Sequence, residues 1–131
     1  MAQKNKTEAI REVVKKLLGE SNGKAYHRNA PKDEAFPYKT YKVNTVQLGD
    51  EAGRDDGTVI VDIWDYAQKP NRIEKIADEI EKSFNHRHIS NNTVMISFYN
   101  YIRNLLDDPD KKIQHIQLQI QYKSYYIGEC I

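Results

Sequence analysis

The chain has 131 residues, the usual size of one domain, and a formal net charge of +1 from 20 Lys and Arg against 19 Asp and Glu. That balance excludes a strongly basic nucleic-acid module and an acidic disordered chain. Hydrophobic residues make up 39%, so the core is modest, but a chain this long folds without needing a disulfide or a metal.

Residues 1–6 are polar, with no apolar h-region, and read as a flexible tail, not a signal peptide. Thr7 is the expected N-cap of a first helix, with Glu8 and Glu12 near the positive end of its dipole. Ile10, Val13, Val14, Leu17 and Leu18 repeat at helical spacing and form one apolar face. Gly19 or Gly23 can end this helix. Residues 24–35 hold one short possible strand, Ala25-Tyr26-His27, in an exposed connection. Phe36-Pro37-Tyr38 opens an extended segment that runs to Leu48. Its alternation is imperfect, and a bulge near Asn44 would reconcile Tyr41 and Val43 with Val46 and Leu48.

Gly49 to Gly57 reads as a turn-type loop with four acids and one base. Thr58 to Tyr66 is the next strand. It carries large apolar groups on both faces, as a central strand would. Pro70 suits the first turn of a second helix, and Ile73, Ile76, Ala77, Ile80 and Phe84 give that helix its apolar stripe. Two strands remain. Val94 to Arg103 places Val94, Ile96, Phe98 and Ile102 on one face, with Tyr99 and Tyr101 turned away. Ile116 to Tyr122 alternates cleanly. Asp107-Asp108-Pro109-Asp110 joins them as a hairpin. The expected fold is therefore α+β: an antiparallel sheet of about four strands with two helices packed on one face, in the order α-β-β-α-β-β. It forms a single domain over 1–131, with 1–6 and 124–131 as flexible tails.

Familiar site chemistry is scarce. The six glycines form no phosphate loop, and no nucleophile elbow or His-Glu-x-x-His motif occurs. Cys130 is the single cysteine, which excludes an internal disulfide and a Cys-based zinc site. His86 and His88 have no third ligand nearby in sequence. The acids Asp50, Glu51, Asp55 and Asp56 lack the spacing of a calcium loop. Asp62 is expected to pair with a polar group across the sheet. The expectation is no catalytic, cofactor-binding or metal-ligating residue, and no enzyme. Tyrosine is in excess, nine against three Phe and one Trp, and suits protein contact. Tyr99, Tyr101, Tyr125 and Tyr126 are the candidate interface aromatics.

Charge is uneven along the chain. Residues 1–42 hold ten bases and five acids, and residues 43–82 hold five bases and ten acids. Such a polarised subunit can meet its own copies head to tail, and such contacts close into rings. The loop residues Asp50, Glu51, Arg54, Asp55 and Asp56 are the candidates for a subunit or lumen contact. A different class of function, nucleic-acid binding through the basic N-terminal helix, uses Arg11, Lys15 and Lys16, with Lys24 as a further candidate, but Glu8, Glu12 and Glu20 dilute that patch.

Ala30-Pro31, then Phe36-Pro37-Tyr38 and Tyr41, then a charged-tipped hairpin, then Val61-Asp62-Ile63-Trp64-Asp65 leading into an amphipathic helix, form a recognisable order. In this order the chain resembles the tail terminator, or tail-to-head joining, proteins of long-tailed bacteriophages, over roughly residues 8–123. The Tyr-rich C-terminal end departs from that pattern. The resemblance implies a small α+β virion assembly protein of a phage or prophage. Such proteins form homo-oligomeric rings, typically hexamers, that end tail tube polymerisation and dock the tail to the head. The implied partners are copies of itself, the tail tube protein and a head-closure or connector protein, with transient, non-specific DNA passage through the lumen. No cofactor and no membrane are implied. Assembly is expected in the host bacterial cytoplasm, and the final location is the virion head-tail junction.

Overall fold

A computed structural model describes residues 6–21, 23–47 and 54–126. The elements in chain order are α1 (Lys6–Leu18), β1 (Lys24–His27), β2 (Tyr38–Gln47), β3 (Arg54–Tyr66), α2 (Pro70–Phe84), β4 (His88–Ser90), β5 (Val94–Leu106) and β6 (Ile113–Tyr126). Both helices follow their apolar spacing. Pro70 occupies the first turn of α2, where its missing N–H costs nothing. Ile73, Ile76, Ala77, Ile80 and Phe84 are all buried.

The sheet corrects the expectation of four antiparallel strands. It has six strands in the order β1-β2-β3-β6-β5-β4 and is mixed and curled like a half-barrel. β1 lies parallel to β2, from Lys24 opposite Tyr38 to His27 opposite Tyr41. The other pairs are antiparallel. β1 takes in the short possible strand Ala25-Tyr26-His27 and pairs it into the sheet, while β4 has three residues, too short to show a period of two. β1 also reaches β2 through a crossover, 28–37, and not through a hairpin, so no turn signal announces it.

One face of the sheet carries the core. Val59, Val61 and Ile63 of β3 stand opposite Ile120, Leu118 and Ile116 of β6. With Tyr41, Val94, Ile96, Phe98 and the helix stripes they make one buried cluster. Both helices therefore pack on this face. The other face has no helix over it among the described residues.

Two strand readings change. β2 pairs with β3 without interruption, so Asn44 carries no bulge, and Val43 stays on the core side opposite Val59. The bulge lies in β5, between Phe98 and Asn100. The extra residue there reverses the side on which every later residue falls. Ile102 stands opposite Gln119 on the open face and is half exposed, while Tyr101 turns to the helix side opposite Ile120.

One glycine is fixed by close approach. A Cβ on Gly57 would sit 2.1 Å from the Asn44 carbonyl oxygen and 2.5 Å from the Tyr122 hydroxyl. The buried Tyr122 ring crosses this gap, and its hydroxyl lies 2.8 Å from Thr45 Oγ1. Only a residue without a side chain lets β2, β3 and that ring meet.

Candidate functional site

The candidate residues fall mainly on the open face. Asp50 and Glu51 lie outside the described residues. Arg54, Asp55 and Asp56 belong to β3, so the strand begins before Gly57. Arg54 and Asp56, two apart and on the same side, form a two-point clamp with Nε–Oδ1 at 3.0 Å and Nη2–Oδ2 at 3.1 Å. Each neutralises the other. Asp55 points to the core side and is buried, and Ser124 Oγ donates to its carbonyl oxygen at 3.0 Å. Asp55 and Asp56 therefore lie on opposite sides of the strand.

The register joins part of the acidic group to part of the tyrosine group. Arg54 stands opposite Tyr125, and Asp56 opposite Lys123. Tyr125 in turn faces Met95 across β5, and Lys123 Nζ lies 5.3 Å from the centre of the Tyr99 ring. One end of the open face thus gathers an Arg–Asp clamp, a lysine over a tyrosine, and the exposed side chains of Tyr99, Tyr125 and Met95. Tyr126 does not join it; it stands opposite Val94 and is packed against the core. Tyr101 is exposed on the helix side.

The far end of the same face holds a group that the sequence reading missed. Trp64 stacks on His115 at 4.5 Å and on Tyr38 at 5.3 Å. Phe36 continues the row, 5.4 Å from Tyr38 and 5.0 Å from Tyr66. Asp62 is buried below it and holds His115 Nε2 at 2.8 Å and Gln117 Nε2 at 3.1 Å. This meets the expectation of a cross-strand polar partner for Asp62. A chain of amides then crosses the middle. Gln119 Nε2 donates to Gln117 Oε1 at 3.1 Å, and Asn100 Nδ2 donates to Gln121 Oε1 at 3.2 Å. The signal for the amides is Gln at every second residue from 117 to 121 of β6, but the aromatic contacts join three separate stretches of chain.

The face carries aromatic groups at both ends, beside the Arg54–Asp56 clamp and Lys123 at one and the Asp62–His115 pair at the other, with carboxamides between. Among the described residues no three His, Cys, Asp or Glu side chains converge as a metal site, and no helix is long and apolar enough to cross a membrane. His88 is held by Ser97 at 2.7 Å on β4, at the sheet margin. What this arrangement offers is contact surface with few net charges.

No family model and no curated protein matches the chain. Among solved structures, the fold is similar to a chain from the virion of a native gene transfer agent particle, with a TM-score of 0.58. The match covers 92% of this chain and 94% of that chain at 12% sequence identity, and what the two share is therefore the fold.

Proposed function

We propose that the protein is a structural component of a phage or phage-like virion, and that within it the chain acts as the ring-forming tail terminator, or tail-to-head joining protein. The observation that carries the virion reading is the fold likeness to a gene transfer agent virion chain over nearly the whole of both molecules. The order of motifs from Ala30-Pro31 through Trp64-Asp65 supports the finer assignment. In this reading copies of the chain, as a hexamer, cap the tail tube and present a surface to a head-closure protein. DNA passes through the lumen without sequence-specific contact. The chain then resides at the head-tail junction after assembly in the bacterial cytoplasm.

The open face suits such a role. Its amide row from Gln117 to Gln121 offers hydrogen bonds without a field that would hold a polyanion. Deleting the gene in its parent particle tests the proposal. Filled heads without tails, beside tails of uncontrolled length, are expected. Tails of normal length on normal heads would overturn the terminator assignment. Particles purified without this chain, yet intact and infectious, would overturn the virion reading itself.

A further inference from the structure

We propose that copies of this chain join sheet edge to sheet edge. Residues 99–106 of β5 in one copy pair antiparallel with residues 42–47 of β2 in the next. This rests on the ring reading above and names the contact that would close the ring.

The two margins of the sheet are covered only in part. β1 pairs with β2 only from Tyr38 to Tyr41, and β4 pairs with β5 only from Met95 to Ser97. Among the described residues, no strand pairs with the outer side of 42–47 or of 99–106. An uncovered strand edge is a template for another strand. Proteins that must stay single protect such edges with lysine, proline or short length. Beyond the bulge at its start, the run 99–106 carries no lysine and no proline. Its one charge, Arg103, is drawn onto α2 by Asp78 at 2.6 Å and Glu81 at 2.8 Å. Tyr99, Tyr101, Ile102 and Leu105 remain exposed along the run.

The second copy is the occupant that fits. Successive antiparallel pairings from β2 through β3 and β6 make β2 and β5 run in opposite directions on opposite margins. A neighbour laid beside β5 with its β2 edge therefore continues the same antiparallel sheet. The contact uses a different surface on each copy, as ring closure requires. Charge agrees with this placement. Antiparallel pairing brings the end of β5, with Asp107 just beyond it, to Lys42 and Arg28 of the neighbour. Arg28 sits where β1 stops, its N–H donating to the Tyr41 carbonyl at 2.9 Å. Lys24, Arg28 and Lys42 are exposed on the β2 margin, while on the β5 margin Asp78 and Glu81 outnumber the Arg103 they hold, Glu74 lines the same cleft, and Asp107 follows the strand. A symmetric β5-to-β5 pairing would instead bring the two acidic flanks together.

The test uses the full chain, alone and on purified tail tubes, with native mass spectrometry and amide hydrogen exchange. In the assembled form the amides of 99–106 and of 42–47 should slow together. Ile102→Lys and Leu105→Lys should each weaken assembly by about tenfold or more, with the melting temperature of the monomer unchanged. Assembly that survives both substitutions overturns the pairing and leaves the ring reading standing. Protection of 99–106 without 42–47 means a two-fold β5 dimer and also overturns it. A chain that stays monomeric alone and on tubes overturns the ring reading and this pairing with it.

Discussion

Lys39 places an ammonium where the alternation of β2 asks for an apolar side chain. It stands opposite Ile63 on the core face and is fully buried. Its Nζ donates to Ser21 Oγ at 2.6 Å and to the Gly23 carbonyl at 3.0 Å, in the turn that follows α1. Burial pushes its pKa down from 10.5 to about 8, and the negative charge of Glu79 offsets this only in part. The folded value lies below the unfolded one. Between those two values the unfolded chain holds a proton that the folded chain has released, so stability rises with pH across the window. Above pH 10 three buried or half-buried tyrosines act in the opposite sense. Burial raises the pKa of Tyr38, Tyr41 and Tyr122, so the unfolded chain ionises there first and stability falls. Urea unfolding measured from about pH 7.5 to 9.5 should therefore show stability increasing with pH. Lys39→Met should flatten that rise. A rise of the same slope in the variant would assign it to another group.

At the scale of elements, one buried carboxylate ties the start of α2 to the strand before it. Asp65, fully buried near the end of β3, accepts Arg72 Nε at 2.7 Å and Arg72 Nη2 at 2.5 Å, and it also accepts the N–H of Tyr66 at 2.7 Å. Arg72 lies in the first turn of α2, so the pair fixes how the helix leaves the strand. Asp65→Ala removes all three acceptor contacts at once. Arg72 is about one-third exposed and can turn to water, so it is not left as a buried charge. The expected cost is about 1–3 kcal/mol, read from denaturant midpoints. Asp65→Asn, which can still accept from the Tyr66 N–H, should lose less. None of this hitch shows in the sequence, where Asp65 and Arg72 are simply a strand acid and a helix base. What the sequence does carry is periodicity. The two helix stripes and the alternation of β6 are long enough to state their own faces. β1 and β4 are too short to do so, and their pairing is decided by tertiary contact. The β5 bulge is hidden for a different reason. Tyr99-Asn100-Tyr101-Ile102 is plausible on either side of a strand, so one inserted residue reverses Tyr101 and Ile102 without breaking any pattern. The aromatic row of the open face joins Phe36, Tyr38, Trp64, Tyr66 and His115, which lie far apart in the chain and meet only once the register is set.

At the scale of the whole molecule, the near-zero net charge separates the two functional classes. A nucleic-acid module on α1 would need its bases free and clustered. Lys15 and Lys16 are exposed, but Arg11 is partly buried, with its Nε shut away from water and without a hydrogen-bond partner among the described residues. Glu8 and Glu12 stand between the bases on the same helix, and the shallow cleft beside them mixes Glu8, Arg11, Glu12, Lys15, His27 and Tyr41. The open face adds amides and a self-neutralised Arg54–Asp56 clamp in place of a basic groove. Duplex DNA should therefore bind no more tightly than the non-specific range of about 10⁻⁴ to 10⁻⁶ M at physiological salt. The logarithm of affinity should fall only gently with the logarithm of salt, since few phosphates would be neutralised. Fluorescence anisotropy with a labelled duplex, titrated between about 50 and 200 mM salt, reads both quantities. Nanomolar binding with a steep salt slope, abolished by Lys15→Glu with Lys16→Glu, would move the function to the nucleic-acid class. Weak binding that those substitutions leave unchanged is what a subunit requires if DNA is to slide past it and not be held.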